Sequence, residues 1–224
     1  MQRGPRQLVV RQDEAKYWHI APEWKGKTAA ILGGGPSLTQ EQCDKVRAAR
    51  LRVIAVNNAY QLAPWAEFLY FCDAMWFTWH KPEKLFRNFA GRKITLENTA
   101  LAADEPGLLS VKNFQLEPGM CKLNWGVHTG ANSGYQALNI ALHLGVKKVV
   151  LLGFDMRVVG RRTHWHMAHK RPTPEDVFRT RMIPQFNLAA REIREEWGVE
   201  VLNCTPDSAL ECFPRVALDD ALKT

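Results

Sequence analysis

The 224-residue chain is predicted to be a single α/β domain, a mostly parallel sheet with helices on both faces. Three observations predict it. Apolar runs of strand length alternate with segments of helical periodicity over most of the chain. The composition is that of an ordinary globular protein, with 46% hydrophobic and 24% charged residues, 15 Gly and 12 Pro; it excludes disordered, collagenous and coiled-coil classes. The length suits one domain that buries a core without a metal or disulfide staple. The organisation expected is an N-terminal extension over 1–27, the α/β domain over 28–210, and a C-terminal tail over 211–224.

Residues 28–33 (TAAILG) read as the first strand, and Gly33-Gly34-Gly35-Pro36-Ser37-Leu38 follows it. Thr39 then caps a helix running to about Ala49. Residues 52–57 and 67–72 read as the second and third strands, the latter ending at Asp73. An aromatic segment over 74–89 is helical in part and interrupted by Pro82. Residues 90–125 read as an irregular excursion with short strands near Lys93–Leu96 and Leu108–Val111. A helix over 132–144 presents Ala137, Ile140, Ala141 and Leu144 on one face and stops at Gly145. Lys147–Leu152 is the clearest buried strand and leads into Gly153-Phe154-Asp155. After a basic, His-rich loop over 156–174, a helix from about Pro174 to Trp197 places Phe178, Met182, Phe186, Ala189 and Ile193 at steps of three and four, with a kink or split at Pro184. Val199–Asn203 is the last strand.

The formal charge of +7, from 30 Lys and Arg against 23 Asp and Glu, favours anionic partners: nucleotides, phosphates, or nucleic acid. The uncharged stretch Leu123–Val146 is long enough to span a bilayer but contains Asn124, His128, Asn132, Gln136, Asn139 and His143, so no membrane span is expected. The N-terminus has no apolar core of signal-peptide length. The five cysteines are widely spaced with no CxxC, which fits reduced thiols rather than a disulfide framework or zinc site. These features point to a cytoplasmic chain.

In open parallel sheets, ligands bind beyond the carboxyl ends of the strands. The residues that could carry chemistry fall there. Gly34, Gly35, Pro36 and Ser37 suit close approach of backbone N–H groups to an anion at a helix start, or form a plain strand-to-helix turn. The loop is neither GxGxxG nor a Walker A sequence. Asn132, Ser133 and Gly134 open a second helix and suit a phosphate, a sugar, or simple capping. Asp155 follows a strand, as a carboxylate that holds a hydroxyl or a metal ion does, and as a turn residue also does. The loop holding Arg157, Arg161, Arg162, His164, His166 and His169 offers a general base beside phosphate-neutralising arginines, a metal-binding HxHxxH, a nucleic-acid contact with Trp165, or a solvated basic loop. The arginines would lower a nearby histidine's pKa and disfavour a dication. Trp76, Trp79 and His80 share a helical face, as core or as a ring platform for an acceptor.

The order of these blocks resembles the bacterial CMP-sialic-acid-dependent sialyltransferases. It is also similar to the related flagellin-glycosyltransferase and archaeal pterin-diphosphokinase-like (MptE-like) proteins, and to phage proteins of the same superfamily. The resemblance is carried by Gly33 to Leu38, Val56-Asn57-Asn58-Ala59-Tyr60, Asn132 through Asp155, Thr163-His164-Trp165 through His169, and Cys204 to Ser208. It implies a Rossmann-like fold and a nucleotide-dependent transferase that moves a sugar from a nucleotide-sugar donor to a hydroxyl acceptor without a metal. Gly34, Gly35, Ser37, Asn57, Asn132, Ser133 and Gly134 would hold the donor, and His169 would be the general base. Arg157, Arg161 or Arg162 would neutralise the leaving phosphate, and Asp155 would position a hydroxyl. The chain departs from the family at Gly34, where an Asn is usual, and at Arg157, where a tyrosine is usual. In the diphosphokinase relatives the same fold uses ATP and Mg²⁺, and Asp73 and Asp155 would be the metal carboxylates. A non-catalytic nucleotide- or nucleic-acid-binding protein, or a glycosyltransferase acting on DNA, are the remaining alternatives.

Overall fold

The computed structural model describes residues 14–97, 105–115, 117–166 and 173–223. Its centre is one eight-stranded sheet in the order β6-β5-β4-β3-β2-β1-β7-β8, and every pair is parallel. The strands are β1 (Thr28–Leu32), β2 (Arg52–Val56), β3 (Phe68–Tyr70), β4 (Arg92–Leu96), β5 (Leu108–Asn113), β6 (Gly126–Val127), β7 (Lys148–Leu152) and β8 (Glu200–Asn203). The helices are α1 (Gln40–Ala48), α2 (Ala74–His80), α3 (Lys84–Arg87), α4 (Ser133–His143), α5 (Glu175–Val177), α6 (Ile183–Glu195) and α7 (Leu218–Ala221). A π turn, Phe178–Met182, joins α5 to α6. The expected α/β Rossmann-like architecture is the one observed, and the sheet is wholly parallel rather than mostly so.

Both faces of the sheet are covered, which is why its strands are continuous apolar runs. Alternate residues feed two cores. Ala29, Ile31, Ile54, Val56, Val149 and Leu151 pack against α4 and α6 through Leu138, Ile140, Phe186 and Ile193. Ala30, Leu32, Val53, Ala55, Val150 and Leu152 pack against α1 to α3 and α7 through Cys43, Val46, Phe77, Phe86 and Leu218.

Local signals end the elements as the sequence implies. Thr39 caps α1 in a reciprocal capping box with Gln42. Gly145 adopts φ +83° after α4, a conformation open to glycine at little cost. The polar residues of the uncharged stretch are structural. Asn139 is fully buried, and its amide accepts from Cys121 N at 2.8 Å and donates to Cys121 O at 3.0 Å. Gln136 accepts from the Tyr70 hydroxyl and donates to Thr129 O. No helix among the described residues is long and apolar enough to cross a membrane.

Residues 90–125, read as an irregular excursion, carry β4 and β5 and approach β6, so they widen the sheet. The flanking segments pack onto the domain where they are described. Ile20 and Trp24 are buried, and Trp18 N, Ile20 N and Trp24 N donate to Ser110 O, Asn124 O and Leu144 O, each at 2.7 Å. At the other end Phe213 and Leu218 are buried, and the Lys148 ammonium donates to Ala221 O at 3.1 Å.

Candidate functional site

The strand order reverses between β1 and β7. From β1 the chain winds outward to β6, then returns to place β7 on the other side of β1. The connections from β1 and β7 therefore run to opposite sides of the sheet, and such a switch point is where doubly wound sheets bind ligands.

Four of the sequence blocks converge there on Phe154 and Asp155. A Cβ on Gly33 would lie 2.6 Å from Gly153 O and 3.1 Å from the Phe154 ring. A Cβ on Gly134 would lie 2.6 Å from the same ring. Phe154 is thus wedged between the glycine loop and the start of α4, with the helix drawn in by Gly134. Phe154 N donates to Thr205 Oγ1 at 2.9 Å, and Ser208 Oγ donates to Phe154 O, so the loop after β8 braces the wedge from behind.

Asp155 is 3% exposed and faces the glycine loop. Its Oδ2 accepts from Ser37 Oγ at 2.9 Å and more weakly from Ser37 N at 3.4 Å. A Cβ on Gly35 would stand 2.0 Å from that oxygen. Burial pushes the Asp155 carboxyl up, against the Ser37 hydrogen bonds and the Arg157 charge, which pull it down. Gly33 N and Gly35 N donate to Leu152 O and Gly153 O. The glycines thus serve first to seat the loop against the β7 turn. Gly34 is different: its N–H has no partner among the described residues, and its Cα faces His164, whose Cδ2 would be 3.2 Å from an added Cβ.

Residues 164 and 165 of the basic loop lie against this loop. Trp165 N donates to Gly34 O at 3.1 Å, and His164 Nδ1 is 2.9 Å from Thr163 Oγ1. Three buried polar atoms at the same edge have no hydrogen-bond partner among the described residues: Asn57 Oδ1, Arg157 Nε and Trp165 Nε1. Asn57 follows β2 with φ +50°, a left-handed conformation that Asn tolerates better than most residues. Unsatisfied buried polar groups are costly, and those at one edge of a crevice are the groups a ligand would satisfy.

The other predicted residues have these places. Pro36 is half-buried between Gly35 and Ser37. Asn132 caps α4 through Tyr135 N at 3.0 Å, and its Nδ2 lies 3.4 Å from Met182 Sδ. Ser133 Oγ is 3.2 Å from Cys72 Sγ. Arg161 and Arg162 are exposed. Asp73 is the exposed cap of α2, with Oδ1 taken by Met75 N and Trp76 N. Trp76 is 7% exposed, stacks on His80 at 4.1 Å and donates its indole N–H to Asn58 Oδ1, so it is packed in the core. His169 lies outside the described residues. None of the five cysteines is in a disulfide.

The chain matches no family model and no curated protein. Its candidate site therefore rests on the geometry above. Each of the two carboxylates that Mg²⁺ chemistry would call on gives one oxygen to a local hydrogen bond, Asp155 Oδ2 to Ser37 and Asp73 Oδ1 to the start of α2. Among the described residues no three His, Cys, Asp or Glu side chains are grouped to hold a metal ion. The residue that sequence reasoning passed over is Phe154. Its signal was present, an aromatic between Gly153 and Asp155 with two further glycine motifs in the chain, but only the fold shows that all of them meet on one ring.

Proposed function

We propose that the protein binds a nucleotide at the β1/β7 switch point and transfers a group from it, with glycosyl transfer from a nucleotide sugar as the reaction. The observation that carries this reading is the set of polar atoms at that edge with no partner among the described residues, Asn57 Oδ1, Arg157 Nε, Trp165 Nε1 and the Gly34 N–H. An amide oxygen at the end of β2 suits a donor on a base or ribose. A guanidinium and a backbone N–H suit phosphate oxygens. In this reading Arg157 neutralises the leaving phosphate, and Asp155 acts as a positioning residue by holding Ser37 and the glycine loop. His169 is the general base that takes the acceptor proton as the hydroxyl attacks the anomeric carbon. This last role rests on the family resemblance alone.

The test is a thermal-shift panel against CMP, CDP, UDP, GDP, ADP and ATP, each with and without Mg²⁺. A nucleotide at about 100 times its Kd stabilises by about 2.7 kcal/mol, which raises Tm by several degrees. Stabilisation by a nucleoside mono- or diphosphate without metal is expected, and it names the donor base. The shift should vanish in Asn57→Gly, which keeps the left-handed backbone and removes the amide, and in Arg157→Gln. A flat panel would overturn the reading. Stabilisation by ATP only with Mg²⁺ would replace it with diphosphoryl transfer.

A further inference from the structure

The opposite edge of the sheet, where the strands begin, holds a second feature that the switch-point reading leaves unused. An open groove of about 670 Å³ is lined there by Lys27, Arg47, Arg50, Arg52 and Lys147, with Trp65 in its wall. The residues come from separate parts of the chain. Lys27 and Lys147 immediately precede β1 and β7, Arg52 begins β2, and Arg47 and Arg50 lie at the end of α1. All five cations are exposed.

Their charge is barely countered. Glu67 is the only carboxylate among the described residues that line the groove, and it is already used: Oε1 binds Arg52 Nη1 at 2.9 Å, and Oε2 accepts from Val53 N at 2.7 Å. Lys27, Arg47, Arg50 and Lys147 have no carboxylate partner among the described residues. Arg47 and Arg50 are favoured by the negative end of α1. Lys27 and Lys147 have no such reason to be there. They stand side by side on neighbouring strands, with Lys147 N donating to Lys27 O at 2.9 Å, and adjacent like charges oppose folding.

The cations form a row rather than a ring. β7, β1 and β2 are consecutive in the sheet: Lys147 and Lys27 stand level, and Arg52, level with Ala29, lies two residues further along, so the row runs obliquely over roughly 12 Å. A single phosphate is held by donors that converge on one point. A row with little hydrogen-bonding selectivity instead suits successive phosphates of one strand. Trp65, half-buried beside the row, carries the Arg47 guanidinium 5.6 Å from its ring centroid, and a base could stack there only by displacing that guanidinium.

We propose that this groove binds the phosphodiester backbone of a single-stranded nucleic acid, without regard to sequence and separately from the switch-point site. The test uses the full chain and a fluorescent oligothymidylate, with anisotropy followed over a salt series. Binding is expected at low salt, and its logarithmic salt slope should shrink by about 0.7 for each phosphate contact removed. Lys27→Glu with Lys147→Glu should weaken binding roughly tenfold or more at low salt. The same net change made away from the groove, Lys84→Glu with Arg87→Glu, should leave it within about twofold, as expected if the local row and not the total charge is read. The groove variant should retain its Tm and any nucleotide-induced shift, so the two sites can fail independently. No binding by the unaltered chain, equal loss in both double variants, or tighter binding to a duplex of the same length would each overturn the proposal.

Discussion

At its carboxyl edge the sheet ends in loops that lock into one another; at its amino edge the same strands start from a bare row of positive charge. Gly33, Gly35, Phe154, Asp155 and Ser37 are in contact at the first edge, with Asp155 buried against a hydroxyl and a glycine. Lys27, Lys147, Arg47 and Arg50 are exposed at the second, with one carboxylate among them. The difference teaches what each set of residues is for. Steric fit accounts for most of the glycine motif before any ligand is considered. Arg47 rests on Trp65 and Arg52 pairs with Glu67, but no such contact accounts for Lys27 and Lys147.

This contrast can be broken at either edge. The largest effect is expected from Gly35→Ala, whose methyl would meet Asp155 Oδ2 at 2.0 Å and the Gly153 carbonyl at 2.6 Å. Overpacking of this kind costs about 3 kcal/mol, a drop in Tm on the order of 10 °C. A drop of a degree or less on thermal unfolding would mean that the two loops are not interlocked. At the amino edge Gly26→Ala should cost only about 1 kcal/mol. Its Cβ meets nothing within 4 Å, and only its φ of +71° opposes it. Equal losses for the two glycine variants would erase the distinction between the edges.

Smaller still, Lys147→Glu should raise stability by a few tenths of a kcal/mol at low salt by pairing with Lys27. The gain should fade as salt screens the pair. Denaturant titrations at two ionic strengths measure it, and a loss of stability would show that Lys147 serves the fold after all.

The last and smallest effect concerns Asp155. Its carboxyl is raised by burial, so the folded state holds that proton more tightly than the unfolded chain does. The group therefore favours folding most below its unfolded pKa and loses this contribution as pH rises through the folded value. Asp155→Asn keeps an acceptor for Ser37 and removes the buried charge. Its Tm should be slightly above that of the parent at pH 7 and no higher at pH 3. A marked fall at pH 7 would mean that the charge itself holds the loop.

Much of the fold was legible because β1, β2, β7 and β8 are apolar runs buried on both sides and set between clear helix signals. Thr39, Asn132 and Gly145 mark ends as their chemistry requires. Residues 90–125 were harder. β5 is mostly half-buried and β6 is only two residues long, so neither carries a long apolar run. The N-terminal segment hides its role among charges, since Ile20 and Trp24 are anchors without periodicity. At the site, the sequence marks Gly33–Ser37 and Asp155 as special but cannot separate glycines that admit a phosphate from glycines that admit a neighbouring loop. The cationic groove was illegible for another reason. Its residues lie up to 120 positions apart, from Lys27 to Lys147, and only parallel strand register sets them side by side.

The π turn ahead of α6 has a consequence for angular phase. Ile183 N donates to Phe178 O, one residue further back than in an α-helix, and Pro184 sits at the start of α6. Widening the turn accommodates a residue that has no N–H to give. An α-helix rotates about 100° per residue, so Phe178 and Phe186 on an unbroken helix would point about 80° apart. With one residue absorbed by the turn, the offset falls to about 20°, and both rings, with Ile193, enter the same core. The π turn is thus the means by which one surplus residue is absorbed. Deleting one residue between Phe178 and Met182 would keep Phe178 and Phe186 about 20° apart on an unbroken α-helix, and the cost would fall on Pro184, whose ring an α-turn would set against the carbonyl four residues back.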